Sequence, residues 1–570
     1  MRIEIRPRLK RLSILLFTLS IIGACSVMPL TIDTKATAPV LDGFGETTLV
    51  PSQGNDNARR LFAQGMAQVY AFNPGEAIRA FKAGLAQDPD CAMCAWGIAL
   101  QMGPNINNPK RGDLRQAIQY VDYAVNRSKD ASPRDRSLIE SLAVRYGHSA
   151  GKLVAPPAGT DGVCRTSGSG LIDPLDSAYA EQMLVLVKRF PADPDVLATY
   201  AEAEMVATRG DDWWDRKTGK PAGRIGDMAS LIEAGLARDP NHVGLNHYLI
   251  HAVDAVPVAS RAIAAADRLG KLAPKSPHLL HMPSHTYRLV GRYADATRVN
   301  QLAVAADVSM MAELKKQNFS ITRDWRGHNS HFQWYSALME GRGELALETA
   351  RAMSAIAKGD HEYPEYLRSI TMLTLLHLQR WDELAKEAMP TGGQGYAQVL
   401  GEMSRGIGYV RTGKLTEAKA AYERLKPAAK KLMAKHTGKD YIARMGRSMA
   451  ASSEAQLAAE IAFAEGRIDE ALALQARAVV AGDDTDRTEP PMLASGPRQR
   501  LGAMQLRAKR FAEAEKTYRE NLVLHPRSGW SLNGLEKALA GQGKQADVLK
   551  VQGELASTWA LAEAPVRVIE

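Results

Sequence analysis

The sequence Leu61-Phe-Ala-Gln-Gly65, followed by Ala77-Ile-Arg-Ala-Phe81 and then by Asp88-Pro89, determines the fold. A small residue, an alanine, an aromatic ring and a closing proline stand where a repeat of about 34 residues places its eighth, twentieth, twenty-fourth and thirty-second positions. The small residues allow two helices to cross closely. The stretch therefore predicts a pair of packed helices that ends at Pro89.

The turn between the two helices of such a pair recurs along the chain. Its copies are Gly291-Arg-Tyr-Ala-Asp-Ala296, Gly341-Arg-Gly-Glu-Leu-Ala346, Gly413-Lys-Leu-Thr-Glu-Ala418, Gly466-Arg-Ile-Asp-Glu-Ala471 and Lys509-Arg-Phe-Ala-Glu-Ala514. Pro240 and Pro274 lie one repeat apart, since 274 − 240 is 34. After Asn57, Ala, Leu and Glu recur at helical spacing, and alternating β-branched runs are scarce. We therefore predict an all-α fold, a tetratricopeptide-like α-solenoid of stacked helical hairpins with a concave surface.

The N-terminus has the pattern of a secretion signal. Basic residues precede a short apolar run at 14–22, and this run is shorter than the roughly 20 residues that a membrane span needs. Ile22-Gly-Ala-Cys25 resembles a bacterial lipobox, which implies a signal peptide over 1–24 and a lipid on Cys25. Ser26 after the cysteine implies sorting to the outer membrane of a Gram-negative bacterium, facing the periplasm. An uncleaved anchor helix is the alternative.

Composition then divides the rest of the chain. Residues 25–56 are rich in Pro, Thr, Gly and Asp and predict a flexible tether. Repeats at 57–340 carry the histidines described below, and further repeats follow at 341–560. Removal of residues 1–24 takes away five basic groups and one acidic group, so the net charge falls from +9 to about +5. This balance gives no reason to expect a nucleic-acid partner.

Eight of the 13 histidines fall between residues 242 and 331. In the repeat frame, the pair His247 and His251 takes positions 5 and 9 of the first helix of one repeat, and the pair His281 and His285 takes the same positions of the next. Both offsets are 34 residues (281 − 247 and 285 − 251). Positions 2, 5, 9 and 12 of such helices line the concave face. Histidines four apart share one helix face about 5–6 Å apart, which suits a shared metal ion.

The frame also places His328 and His331 at positions 2 and 5 of a third repeat, Asp254 at position 12 and His278 at position 2. We predict a transition-metal site on the concave face, and neutral imidazole is compatible with Zn, Cu, Fe or Ni. Asp254 would complete the ligand set or orient an imidazole. The alternatives are packing histidines or a polar groove for an extended peptide. The predicted ligands are His247, His251, His281, His285, His328, His331 and Asp254.

Three cysteines remain beyond residue 25. Cys91 and Cys94 stand at the start of a predicted helix, where a thiol pair could bind metal or form a redox disulfide. A structural disulfide, with or without Cys164, is the alternative.

Two further groups of residues are weaker candidates. Asp211, Asp212 and Asp215 surround Trp213-Trp214 and would form either a lid over the groove or a solvated loop anchored by buried tryptophans. Asp324 would orient an imidazole or cap the third histidine helix, and capping is the more common role.

The chain from 57 to 550 resembles a family of bacterial tetratricopeptide proteins of largely unassigned function. The resemblance rests on Asp90-Cys-Ala-Met-Cys-Ala-Trp-Gly97, Asn246-His-Tyr-Leu-Ile-His-Ala-Val-Asp254, His281-Met-Pro-Ser-His285, Gly291-Arg-Tyr293, His328-Asn-Ser-His-Phe332, Glu489-Pro-Pro491 and Gly529-Trp-Ser-Leu-Asn-Gly-Leu535. The family usually has Glu where this chain has Asp254, which shortens the reach of that carboxylate, and often Pro where it has Gly327.

Three functions are compatible with these patterns. The first is an envelope protein that binds a transition metal in its groove, and the second is an interaction scaffold that holds a protein or peptide. The third is a metal-dependent enzyme, in which a metal-bound water is the nucleophile and Asp254 the base. No P-loop, Rossmann fingerprint, Gly-x-Ser-x-Gly or His-Glu-x-x-His motif occurs. Common hydrolase, nucleotide and zincin classes are therefore disfavoured.

Overall fold

The structure, a computed structural model, describes residues 30–107, 113–149, 152–153, 174–208, 212–438, 441–486, 488–494 and 496–563. The predicted signal peptide, Cys25, Cys164 and Asp211 lie outside these ranges. The first helices are α1 (Asp56–Tyr70), α2 (Pro74–Gln87), α3 (Ala92–Met102), α4 (Leu114–Arg127), α5 (Pro133–Arg145), α6 (Pro174–Arg189), α7 (Pro194–Ala207), α8 (Ile225–Arg238), α9 (Val243–Ala252), α10 (Ile263–Leu272), α11 (Pro277–His281) and α12 (Pro283–Leu289).

The remaining helices are α13 (Tyr293–Lys316), α14 (Arg326–Glu340), α15 (Gly343–Ile356), α16 (Glu362–His377), α17 (Trp381–Lys386), α18 (Tyr396–Arg411), α19 (Leu415–Lys435), α20 (Tyr441–Ala464), α21 (Ile468–Asp486), α22 (Gly496–Arg507), α23 (Phe511–Leu524), α24 (Gly529–Gly541) and α25 (Gln545–Thr558). Two strands of two residues each, His148–Ser149 and Lys152–Leu153, pair antiparallel. Successive helices pack against one another. The predicted all-α, tetratricopeptide-like solenoid is confirmed.

Several helices begin with the same local device. Ser132, Asp193 and Ser276 each accept a backbone N–H from the first turn, and a proline follows directly as the first helical residue. The side chain satisfies a donor that has no partner within the helix, and the proline has no N–H to satisfy. The start of α11, which carries two of the histidines, is therefore fixed at Pro277.

The repeated turn has one geometry at all five copies. Each copy begins with a residue of positive φ, between 57° and 83°, which glycine adopts without strain. The alanine five residues later is fully buried in every copy, at Ala296, Ala346, Ala418, Ala471 and Ala514. At Gly65, a Cβ would lie 2.4 Å from the Phe81 ring. Small side chains are thus required where the helices cross.

The segment predicted to be a flexible tether packs against the helices from about residue 39 onward. Phe44 and Leu49 are buried, the Gly43 carbonyl accepts the Lys275 N–H, and the Thr47 hydroxyl donates to Asp195. Composition did not reveal this because two apolar side chains and a few hydrogen bonds are enough to hold an extended segment on a preformed surface.

Both ends of the solenoid return to α14. The corner between α1 and α2 reaches it through Asn73, whose side chain accepts the Trp325 Nε1–H at 3.2 Å. From the other end, the Trp530 Nε1–H donates to the Leu338 carbonyl at 2.8 Å. Segments from both ends of the solenoid therefore pack against α14, one at its start and one near its end.

Substitution Ala418→Leu should destabilise the protein by about 1–3 kcal/mol, because the added carbons have no room at the crossing of α18 and α19. Chemical denaturation followed by circular dichroism measures the change. Ala420→Leu, at an exposed position of the same helix, should change stability by less than about 0.5 kcal/mol. Equal effects of the two changes would contradict the packing described for the turn.

Candidate metal centre

Six histidines from consecutive repeats meet in one buried space, which we call the histidine chamber. They come from α9, α11, α12 and α14 and are His247, His251, His278, His281, His285 and His328. His247, His278 and His281 have at most 1% of their surface exposed. Met282 keeps a helical backbone (φ −50°, ψ −38°) between α11 and α12. His281 and His285 therefore still face the same side across Pro283.

The first triad consists of His247, His251 and His278. The Nε2 atom of His247 lies 3.1 Å from Nε2 of His251 and 3.2 Å from Nε2 of His278. On its other side, His247 donates Nδ1–H to the Tyr70 carbonyl at 2.7 Å. A carbonyl only accepts, so neutral His247 has an unprotonated Nε2 that faces the other two rings.

The second triad consists of His281, His285 and His328. The Nε2 atom of His281 lies 3.1 Å from Nε2 of both His285 and His328. The Asn300 amide nitrogen donates to the Ala296 carbonyl, so the Asn300 oxygen faces His281 Nδ1 at 2.7 Å and accepts its proton. His285 donates Nδ1–H to the Asp254 carboxylate at 2.8 Å. When both rings are neutral, the Nε2 lone pairs of His281 and His285 therefore point at each other.

Two imidazole lone pairs 3.1 Å apart repel unless a cation lies between them. Ligands bound to one tetrahedral ion at 2.0–2.1 Å lie about 3.3 Å from each other, close to the two separations given above for each triad, and the third pair of nitrogens lies within 4.8 Å. An outer carbonyl, amide or carboxylate that fixes the imidazole tautomer is also typical of metal-bound histidines. The donor set and its spacing thus fit a transition-metal ion in each triad.

The pKa is lowered for five of the six imidazoles of the chamber. Burial lowers the pKa of His247 and of His328 to about 3. Burial, reinforced by neighbouring imidazoles, lowers the pKa of His251, His278 and His281 well below its usual value. These five rings are therefore in the neutral form that binds metal.

Aromatic rings form the walls of the chamber. Phe72, at the corner between α1 and α2, lies 4.5 Å from His247 between ring centroids. Phe332 lies 4.5 Å from His281 and 4.6 Å from His285, and Trp325 stacks on His278 at 4.3 Å. These rings exclude water from the histidine nitrogens and fix the ring orientations.

Asp254, Arg288 and Glu489 form the polar edge of the second triad. Burial opposes ionisation of Asp254, but the Arg288 guanidinium and the His285 imidazole outweigh it and lower the Asp254 pKa. Glu489 lies 3.5 Å from His285 Nδ1 and 3.9 Å from Arg288. The loop that follows α21 thus brings a second carboxylate to the chamber.

A cavity of about 240 Å³ connects this edge to the outside. It is lined by His251, Asp254, Glu489 and the pair Trp213-Trp214, among others. Small molecules can therefore approach the first triad at His251 and the second at Glu489.

The structure places some of the predicted site residues elsewhere. His331, on α14, lies 2.9 Å from the Tyr366 hydroxyl through Nε2 and belongs to neither triad. Cys91 and Cys94 form a buried disulfide with each other, 5.3 Å apart between Cα atoms. Asp254 lies beyond the end of α9 and contacts His285 through the outer nitrogen, which is the orienting role.

The weaker candidates have structural contacts. Asp324 accepts the Arg326 N–H at 3.0 Å where α14 begins. Trp214 is buried and donates Nε1–H to the Ala252 carbonyl at 2.7 Å, while Asp215 accepts the Thr218 N–H within its own turn. Of this loop, Asp212 and both tryptophans line the cavity.

Some residues of the centre are not predicted as ligands by the sequence. The repeat frame puts His278 at position 2 of its repeat, but only the fold shows that this residue completes the first triad. Tyr70 and Asn300 carry no sequence signal, because their hydrogen bonds join elements that are 177 and 19 residues apart in the chain. Glu489 was visible only as part of Glu489-Pro-Pro491.

No protein-family model matches this chain, and no curated protein matches it. Solved structures that match include the APC/C hetero-tetramer Cut9–Hcn1, at 11% identity and a TM-score of 0.26, over 89% of this chain and 88% of that one. The human IFIT1 dimer with m7Gppp-AAAA matches at 10% identity and a TM-score of 0.32, over 90% and 96%. The P58(IPK) TPR domain matches at 12% identity and a TM-score of 0.19, over 79% and 99%. At these scores the matches carry no argument about the site.

Among the helices within the described ranges, none has the length and apolar character needed to cross a membrane.

The neutral chamber predicts a pH dependence for the metal-free protein. An unfolded histidine has a pKa near 6.5, whereas burial keeps these folded imidazoles unprotonated to a much lower pH. The unfolded chain therefore binds more protons, and the free energy of unfolding should fall as the pH is lowered from about 7.5 to 5. Urea midpoints across this range measure the effect.

His377 provides a matched control outside the chamber. It is buried against Trp530, and burial lowers its pKa to about 3. The change His377→Leu should reduce the slope of the unfolding free energy against pH by the contribution of about one proton. The part of the slope that comes from the chamber should remain. A midpoint that does not change with pH would contradict a neutral, buried histidine chamber.

Proposed function

We propose that this protein binds transition-metal ions in the histidine chamber and does so in the bacterial cell envelope. The observation that carries the first part is the 3.1 Å separation between the Nε2 atoms of His281 and His285. Asn300 and Asp254 bind Nδ1 of these rings, so the neutral rings present two Nε2 acceptors to each other. A bound cation removes the repulsion and uses both lone pairs.

The ion would be one that imidazole suits, which includes Zn, Cu, Fe and Ni. The histidines that would hold the ion differ from residues on an open concave surface, because they are buried and already oriented by outer hydrogen bonds. Such preorganisation favours tight binding, since little side-chain freedom is lost when the ion enters.

Two other functions remain as alternatives. A metal-dependent enzyme is favoured by the cavity that leads to His251, Asp254 and Glu489, because a reaction needs a route for its substrate. A protein or peptide scaffold without metal is supported by the solenoid fold alone. Because segments from both ends of the solenoid pack against α14, such a partner would bind to another part of the chain.

Protein purified without a histidine tag should contain, or take up at neutral pH, at least about one transition-metal ion per chain. The double change His247→Ala with His281→Ala removes the central ligand of each triad and should abolish uptake. His377→Ala is the matched control, since it also removes a buried imidazole but one that lies outside the chamber, and it should leave uptake unchanged.

Elemental analysis gives the metal content, and circular dichroism verifies that the variants fold. Wild-type protein that takes up none of the four metals would contradict metal binding and would favour the scaffold.

The envelope location rests on the basic start, the short apolar run and Ile22-Gly-Ala-Cys25. We infer that Cys25 carries the lipid that holds the protein at the outer membrane. Cells that express Cys25→Ser should lose palmitate labelling of the protein and its recovery in the membrane fraction, whereas Cys164→Ser should change neither. Membrane recovery of unlabelled wild-type protein would contradict the lipid anchor.

A further inference from the structure

The two triads are separate sets of ligand atoms. Within each triad, the three nitrogens lie within 4.8 Å of one another, and among the described residues no group of three combines histidines from both triads. An ion with bonds of about 2.0–2.1 Å therefore reaches the histidines of one triad only. The six histidines therefore form two sites of three ligands, each for one ion.

The triads are nevertheless neighbours. The ring centroids of His251 and His285 are 5.9 Å apart, and those of His278 and His281 are 6.0 Å apart. Ions in the two triads thus share one chamber, and no described helix separates them. The charge of one ion acts directly on the other.

The ligands supply no negative charge between the two ions. All six are imidazoles, which carry no negative charge when they bind a metal, and Asp254 and Glu489 approach His285 at its outer nitrogen. Phe72, Phe332 and Trp325 form apolar walls around the rings, and the polar edge at Asp254 and Glu489 lies on the outer side of the second triad. Coulomb repulsion scales with the product of the charges, so two divalent ions repel four times as strongly as two monovalent ions at the same distance.

Of the metals that imidazole suits, copper is the one with a stable monovalent ion. We propose that the histidine chamber is a dinuclear copper centre that takes two Cu(I) ions, one in each triad. This inference rests on the proposed metal-binding function and adds the number, identity and charge of the ions. The cavity at His251 and Glu489 is then the route by which a small molecule reaches the pair.

The test uses the full-length chain without a histidine tag, loaded under anaerobic conditions with Cu(I) kept reduced by ascorbate. Competition with the chelator bicinchoninate measures tightly bound copper. Two Cu(I) per chain are expected, whereas Zn(II), measured with its own competing chelator, should reach no more than one tightly held ion. His247→Ala and His281→Ala should each retain one Cu(I), and His331→Ala should retain two.

Oxidation of the loaded protein with ferricyanide gives a second readout that needs no variant. Two Cu(II) ions in one chamber interact magnetically through space, so the electron paramagnetic resonance spectrum should show dipolar broadening and a half-field transition. The single-triad variants should show neither.

The outcomes separate this inference from the function on which it rests. One Cu(I) per chain, two Zn(II) held as firmly as two Cu(I), or a spectrum without dipolar coupling from wild-type protein with two copper ions would overturn the dinuclear copper centre and leave metal binding intact. Absence of uptake for Cu, Zn, Fe and Ni would overturn both.

Discussion

The histidine chamber depends on the contact between the Nε2 atoms of His281 and His285, which face each other at 3.1 Å in a buried space. Asn300 and Asp254 bind Nδ1 of these rings and hold them in this orientation. Buried groups normally pair a donor with an acceptor, because an unsatisfied polar atom costs about 1–3 kcal/mol. Two neutral imidazoles held in this way present acceptor to acceptor, an arrangement that a cation between them would satisfy.

The repeat supplies the positions. A period of 34 residues brings His247 and His281 to equivalent places on adjacent helices, and the same holds for His251 and His285. The fully buried alanines of the recurring turn keep neighbouring helices close enough for the rings to meet. The two ends of the solenoid then cover the site, since Phe72 and the loop with Glu489 approach it from opposite ends of the chain. The repeats thus position the histidines, and the segments that cover them supply their apolar surroundings.

Much of this was predictable from the sequence. The helical fold followed from Gly65, Phe81 and the recurring glycine turn, because those residues act through contacts within one repeat. Five of the six chamber histidines followed from the repeat frame. The structure places His278 in the first triad and His331 in neither. The repeat frame gives the face of a helix on which a residue lies, but not how far its side chain reaches towards another helix. Tyr70, Asn300 and the packing of residues 39–55 depend on contacts between distant parts of the chain, which no local pattern encodes.

The most direct test of this account is a crystal structure of the metal-loaded protein with anomalous diffraction recorded above and below the absorption edge of the metal. The account predicts two anomalous peaks in the histidine chamber, each about 2.0–2.1 Å from the Nε2 atoms of one triad, with Nδ1 of His281 and His285 still bonded to Asn300 and Asp254. A peak bound at His331, or a fully loaded crystal without a peak between the facing nitrogens, would contradict it.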